Sequence, residues 1–285
     1  MARTLSPNLL GWIVGFLAAI PAVQAADDGA AERCANSAPS NHTEPVRSIL
    51  PVNNNSSDRE LARFVMPYAM LTAHASDRVD VDIEELGFYL GPDSNQLFFD
   101  RRQGELFSTA VSGFKAATYV HCSDDAIVIV YGKTATKDPR DWITATVRYF
   151  SGGESELALS LLDAVRGRYP GYAITLLGLS AGGSLASYVG AVSGLPSIVF
   201  NPIRTDAALY NNGANQLVVR IAGDVLSDPA APPAPGIMRV SQSLTRNDGA
   251  LQGALLLIDP VGEYRFLWEL HWIETVIDEM RWILQ

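Results

Sequence analysis

The chain has 285 residues, 48% of them hydrophobic, and a formal net charge of -10 from 21 Lys+Arg against 31 Asp+Glu. An acidic chain without a basic cluster is repelled by nucleic acid and by anionic surfaces in general, which excludes nucleic-acid binding as a class. Two cysteines and four histidines, with no Cys-x-x-Cys and no His-x-x-x-His, give no zinc pattern, and no metal or organic cofactor is implied.

Residues 1–26 read as a secretory signal peptide outside the fold. Arg3 supplies a positive start, residues 9–20 are apolar, and Val23-Gln24-Ala25 resembles a small-x-small cleavage site. The apolar run is too short to cross a bilayer comfortably, so the expectation is an exported protein, periplasmic or secreted. Residues 27–56 are rich in Asp, Asn, Ser and Pro without a hydrophobic period and read as a flexible linker. Cys34 lies there and Cys122 further on; in an oxidising compartment they permit one disulfide, the alternative being two unrelated thiols. Residues 57–285 suit a single α/β domain.

Within that domain Leu61, Phe64, Val65, Tyr68, Met70 and Leu71 recur near helical spacing and predict a helix over Asp58–Ala75. Short strand-like runs follow in residues 86–121, including Leu106-Phe107 and residues 116–120. Residues 126–131, Ala-Ile-Val-Ile-Val-Tyr between Asp-Asp and Gly, predict a buried strand. Helices are predicted over 141–150 and 154–169, the second ended by Pro170-Gly171. An apolar strand over 172–177 leads into a small-residue helix opening with Gly182-Gly183-Ser184. Strands are then predicted at 197–200, 217–222 and 255–258, with a closing helix over 267–284. Strands alternating with helices specify an α/β fold with a mainly parallel central sheet flanked by helices. Ligands in such folds bind at the carboxyl ends of the strands, where Gly132-Lys133, Ser180 and Asp224 fall.

Gly178-Leu179-Ser180-Ala181-Gly182 is a G-x-S-x-G pattern placed between a strand and a helix, as a nucleophile elbow requires. The pattern arises by chance in on the order of one in ten chains of this length, so its context carries the reading. A serine hydroxyl is a weak nucleophile; it needs a histidine base and a carboxylate to orient that base. The usual chain order is Ser, acid, His. His42, His74 and His121 precede Ser180, which leaves His271. Two aspartates follow predicted strands, Asp224 and Asp259. Asp224 leaves the longer excursion before His271, whereas Asp259 precedes Pro260 and also reads as a turn residue. The oxyanion needs two N–H donors: Ala181, and Lys133 or Thr134 from the loop after residues 126–131, where Gly132 permits a tight turn.

Four blocks resemble the class 3 (fungal-lipase-like) lipases of the α/β-hydrolase superfamily. AIVIVYGKTATKDPRDW (126–142) is similar to the family's strand, R-G-T/S loop and later Asp-Trp. YPGYAITLLGLSAGGSL (169–185) resembles its Y-P-x-x-x-I-x-x-x-G-H-S-L-G-G-A-L block. LPSIVFNP (195–202) resembles its L-P-x-x-x-F-N-x-P, and VRIAGDVLSDP (219–229) the N-D-x-V-x-x-x-P stretch that carries the catalytic acid. The resemblance implies Asp224 rather than Asp259 as the acid and aligns Lys133 with the family's oxyanion Thr or Ser. Leu179 and Ala181 stand where the family usually has His and Leu, and Tyr131 where it has Arg. Residues 134–141 form a short charged loop with no evident amphipathic lid. The implied activity is an exported serine hydrolase of carboxylic esters, acyl-lipid or phospholipid esters, working through an acyl-enzyme on Ser180, His271 and Asp224. The expected partner is an ester or lipid substrate, with transient contact at a membrane surface left open. A thioesterase or peptidase on the same triad, and a catalytically inactive binding protein of the same fold, are the alternatives.

Overall fold

Buried β-branched and leucine-rich runs make the centre of the molecule. In the computed structural model the described residues are 57–76, 79–91, 114–121, 124–133, 153–203, 215–224, 227, 240–244, 254–258, 260–261 and 267–285. The expected signal and linker, Cys34, Cys122, Leu106-Phe107, Thr134, the 141–150 helix and Asp259 lie outside them. Eight strands are described: β1 Phe88–Leu90, β2 Phe114–His121, β3 Ala126–Lys133, β4 Ala173–Leu179, β5 Ser197–Phe200, β6 Gln216–Ile221, β7 Val240–Leu244 and β8 Ala254–Ile258. They form one sheet in the order β1-β2-β3-β4-β5-β6-β8-β7. The run β3-β4-β5-β6-β8 is parallel, while β1, β2 and β7 pair antiparallel at the two sides. With helices on both faces, this is an α/β-hydrolase architecture.

Four helices and one 3-10 turn complete the described residues: α1 Asp58–Ala75, α2 Glu154–Arg168, α3 Ala181–Ser193, the turn Leu267–His271 and α4 Ile273–Leu284. Helix α1 starts at a capping box, in which the Glu60 N–H donates to Ser57 Oγ and the Ser57 N–H donates to the Glu60 carboxylate. Helix α2 links β3 to β4 and α3 links β4 to β5. Parallel crossovers share one hand, and these strands advance steadily in one direction, so both helices fall on the same face.

Every central strand is apolar toward both faces. Val128 and Val130, Leu177, Ile198 and Phe200, and Val219 and Ile221 face the layer of α1 and α4. Ile127 and Ile129, Leu176, Val199 and Val218 face α2 and α3. Strand bounds shift by one or two residues in β2, β4, β6 and β8, and three further details depart from the expectation. Strand β3 runs two residues further, to Lys133, because β2 stays paired with it up to Phe114. Strand β7, which the sequence reading did not foresee, is a polar run that pairs with β8 alone. The closing helix is broken at Trp272, whose extended backbone (φ -80, ψ 149) separates the 3-10 turn from α4.

Candidate active site

The residue after β4 is Ser180, at φ 58 and ψ -123, and α3 begins immediately after it. A non-glycine residue held there costs on the order of 1–3 kcal/mol and persists only when its surroundings fix it. Here they do. The Ser180 N–H donates to Phe200 O at 3.0 Å, while Ser180 O accepts the N–H of Ser184 at 3.0 Å and of Ile203 at 3.3 Å. The Ser184 hydroxyl adds a 2.7 Å bond to Ile203 O. Glycine is required on both sides of the turn. A Cβ at Gly178 would lie 2.3 Å from the Gly182 carbonyl, and one at Gly182 would lie 2.1 Å from Tyr131 O. The helix backbone therefore sits directly against β3 and β4. Ser180 is buried, and its hydroxyl makes no hydrogen bond among the described residues.

Asp224 follows β6 through a tight turn. Gly223 takes φ 84, and the Asp224 N–H returns to Ile221 O at 3.2 Å. His271 closes the 3-10 turn, which is anchored to α4 by a 2.6 Å bond from the Thr275 hydroxyl to Glu269 O. His271 Nδ1 lies 2.5 Å from Asp224 Oδ2, with both side chains buried. A carboxylate can only accept, so Nδ1 carries the proton and Nε2 is the basic nitrogen. The bond holds the imidazole in one orientation.

Two other histidines serve elsewhere. His74 Nδ1 meets the Tyr119 hydroxyl at 2.8 Å. His121 Nδ1 meets Asp124 at 3.0 Å, opposite Ala126 at the start of β3 and so at the far end of the sheet from Ser180. Burial pushes the His121 pKa below its ordinary value, and the Asp124 carboxylate opposes that shift.

Ala181 is the first residue of α3, so its N–H has no acceptor within the helix and the positive end of the helix dipole lies at Ser180. Lys133 is the last residue of β3, paired with Phe114, rather than a loop residue. A Cβ at Gly182 would come 3.4 Å from the Gly132 Cα, which puts the end of β3 beside the start of α3. Tyr131 is fully buried, and its hydroxyl donates to Ala158 O at 3.1 Å, on α2. Among the described residues no group of His, Cys, Asp and Glu could hold a metal ion, and no helix is long and apolar enough to cross a membrane.

Asn201, to which the motifs give no role, is wholly buried and links the turns that carry Asp224 and His271. Its N–H donates to Val219 O at 2.8 Å. Its side-chain Oδ1 accepts the Ile221 N–H at 2.9 Å, and its Nδ2 donates to Leu270 O at 3.0 Å. The signal available in sequence was an asparagine directly after a buried strand and before Pro202.

No family model and no curated protein matches the chain in sequence. Among solved structures, the chain is similar to a Rhizomucor miehei lipase propeptide complex. That match has 17% identity and a TM-score of 0.44, and covers 75% of this chain and 78% of the other. It is also similar to a mutant form of MDLA from Penicillium cyclopium (14%, TM-score 0.45, 80% and 100% covered). A third match is the Lip2 lipase from Yarrowia lipolytica (15%, TM-score 0.40, 63% and 76% covered). Solved fungal lipases are thus among the structures this chain resembles, and fungal-lipase-like enzymes are the family its motifs resemble.

Proposed function

We propose that the chain is an exported serine hydrolase of carboxylic esters, acting on acyl-lipid or phospholipid esters through a covalent acyl-enzyme. In this reading residues 1–26 are the signal peptide, 27–56 a linker and 57–285 the catalytic domain. The observation that carries it is the buried 2.5 Å His271–Asp224 pair, formed across 47 residues of sequence, in a chain whose Ser180 is held at positive φ after β4. The His121–Asp124 pair, by contrast, is local in sequence, longer at 3.0 Å, and has a partly exposed carboxylate.

Ser180 Oγ attacks the ester carbonyl carbon while His271 Nε2 takes its proton, and Asp224 stabilises the resulting imidazolium. The oxyanion is held by the N–H groups of Ala181 and Lys133. Collapse of the tetrahedral species breaks the bond to the alcohol, which leaves with the proton from His271. Water, deprotonated by His271, then cleaves the acyl-enzyme and releases the carboxylic acid. The Ser180 hydroxyl makes no hydrogen bond among the described residues, and the reaction requires it to come within hydrogen-bonding reach of His271 Nε2.

Ser180→Ala is expected to abolish hydrolysis of short p-nitrophenyl esters and labelling by a fluorophosphonate, with the circular dichroism spectrum unchanged. Turnover equal to the parent in the purified variant would sink the proposal. A panel of fatty-acyl esters, thioesters and peptides then assigns the bond cleaved, and N-terminal sequencing of exported protein tests the cut after Ala25 or Ala26.

A further inference from the structure

We propose that Asn201 is the positioning residue of this site: its amide sets the acid and base turns relative to each other and to the nucleophile. The inference rests on the triad reading above. Asn201 bridges the same two turns as the His271–Asp224 pair, by a second and independent route. Its Oδ1 holds the Ile221 N–H, and the carbonyl of that same Ile221 closes the turn that presents Asp224. Its Nδ2 holds the carbonyl of Leu270, the residue before His271. The two side-chain bonds span 20 and 69 residues of sequence, so neither is local. Together with the His271–Asp224 bond they close a ring through both turns. The nucleophile is tied to the same segment, because Ser180 N–H donates to Phe200 O and Ser180 O accepts from Ile203 N–H. Residues 200–203 thus touch the backbone that carries all three members of the triad.

The chemistry of the bridge calls for asparagine. One end must accept from an N–H and the other must donate to a carbonyl, so the amide orientation is forced; flipping it would set donor against donor and acceptor against acceptor. A carboxylate lacks the donor, and a hydroxyl is too short to reach both turns. The backbone is strained as well. Asn201 takes φ 40, whereas a residue before proline prefers φ near about -120°. Asparagine tolerates positive φ better than most side chains, and strain kept inside a wholly buried site points to a geometric task.

The test compares kcat and KM per mole of folded protein, on a short p-nitrophenyl ester, for the parent, Ser180→Ala, Asn201→Gly and Asn201→Asp. Asn201→Gly keeps access to positive φ while removing both bridges. Its kcat is expected to fall roughly 100-fold, as for an ångström-scale misplacement of catalytic groups, with KM little changed. In Asn201→Asp the introduced carboxyl keeps one acceptor oxygen and can face Leu270 O only when protonated, a state that burial favours. That variant should stay active near neutral pH and lose kcat as pH rises through titration of the carboxyl, a limb absent from the parent. Parental kcat in folded Asn201→Gly overturns the assignment, as does a parental pH profile in Asn201→Asp. If the glycine variant fails to fold, the pH profile alone decides. Undiminished turnover in Ser180→Ala would instead refute the triad itself, whatever the Asn201 variants do.

Discussion

Substituting Gly182 by alanine tests the packing on which the proposed nucleophile, Ser180, depends. The added methyl would lie 2.1 Å from Tyr131 O and 2.9 Å from its carbonyl carbon. Carbon and carbonyl oxygen approach no closer than about 3.3 Å, so β3 and α3 must separate by roughly 1.2 Å. Both contacting groups are backbone, and no side-chain rotation relieves the clash. The displaced elements are the two that carry the proposed oxyanion donors, Lys133 at the end of β3 and Ala181 at the start of α3. Overpacking of this kind costs on the order of 3 kcal/mol. For a domain of this size that lowers Tm by roughly 6–12 °C. A donor displaced by about an ångström costs roughly 100-fold in kcat. Gly167→Ala in α2 is the matched control. A Cβ there meets nothing within 4 Å, and the variant should gain roughly 0.5 kcal/mol from reduced chain entropy. Thermal melts by circular dichroism and p-nitrophenyl ester turnover read both variants. Parental Tm and kcat in Gly182→Ala would refute the close packing of α3 against β3.

Asp224→Asn should keep the fold and lower kcat by about 10⁴, because an amide no longer enforces the tautomer that leaves Nε2 basic. Asp259→Asn should leave kcat near the parent value, and steady-state kinetics on the two variants decide which aspartate is the acid. Stability should fall as pH drops below about 6.5. Burial lowers the pKa of His121, so the unfolded chain binds the proton first and acid pulls the equilibrium toward it. His121→Gln should flatten that dependence in urea titrations at pH 5 and 7. An unchanged pH dependence in the variant would assign the effect to other groups.

Much of the frame was legible in the chain. The helix over Asp58–Ala75 and the strand at 197–200 follow from spacing and from β-branched residues, and both have the expected bounds. The elbow glycines were legible because only a residue without Cβ fits between α3 and the strands, and the structure gives those clashes distances. The break at Trp272 was not legible. Leu270, Ile273 and Ile277 keep an apolar face across it, so the pattern reads as one helix although the backbone changes course. Strand β7 was missed because a single pairing with β8 defines it, and Val-Ser-Gln-Ser-Leu carries little local strand signal.

The sequence by itself determined the α/β alternation, the candidate serine at the end of β4 and, through chain order, the candidate histidine. Each is encoded locally, in the period of the apolar residues or the chemistry of a short motif. Only the tertiary structure decided that Asp224 hydrogen-bonds His271, that β3 brings its end to the start of α3, and that Asn201 joins the turns carrying Asp224 and His271. Those contacts join residues 20 to 69 positions apart, and no local pattern encodes them. They are set by the order of the strands in the sheet, which places β4, β5 and β6 side by side.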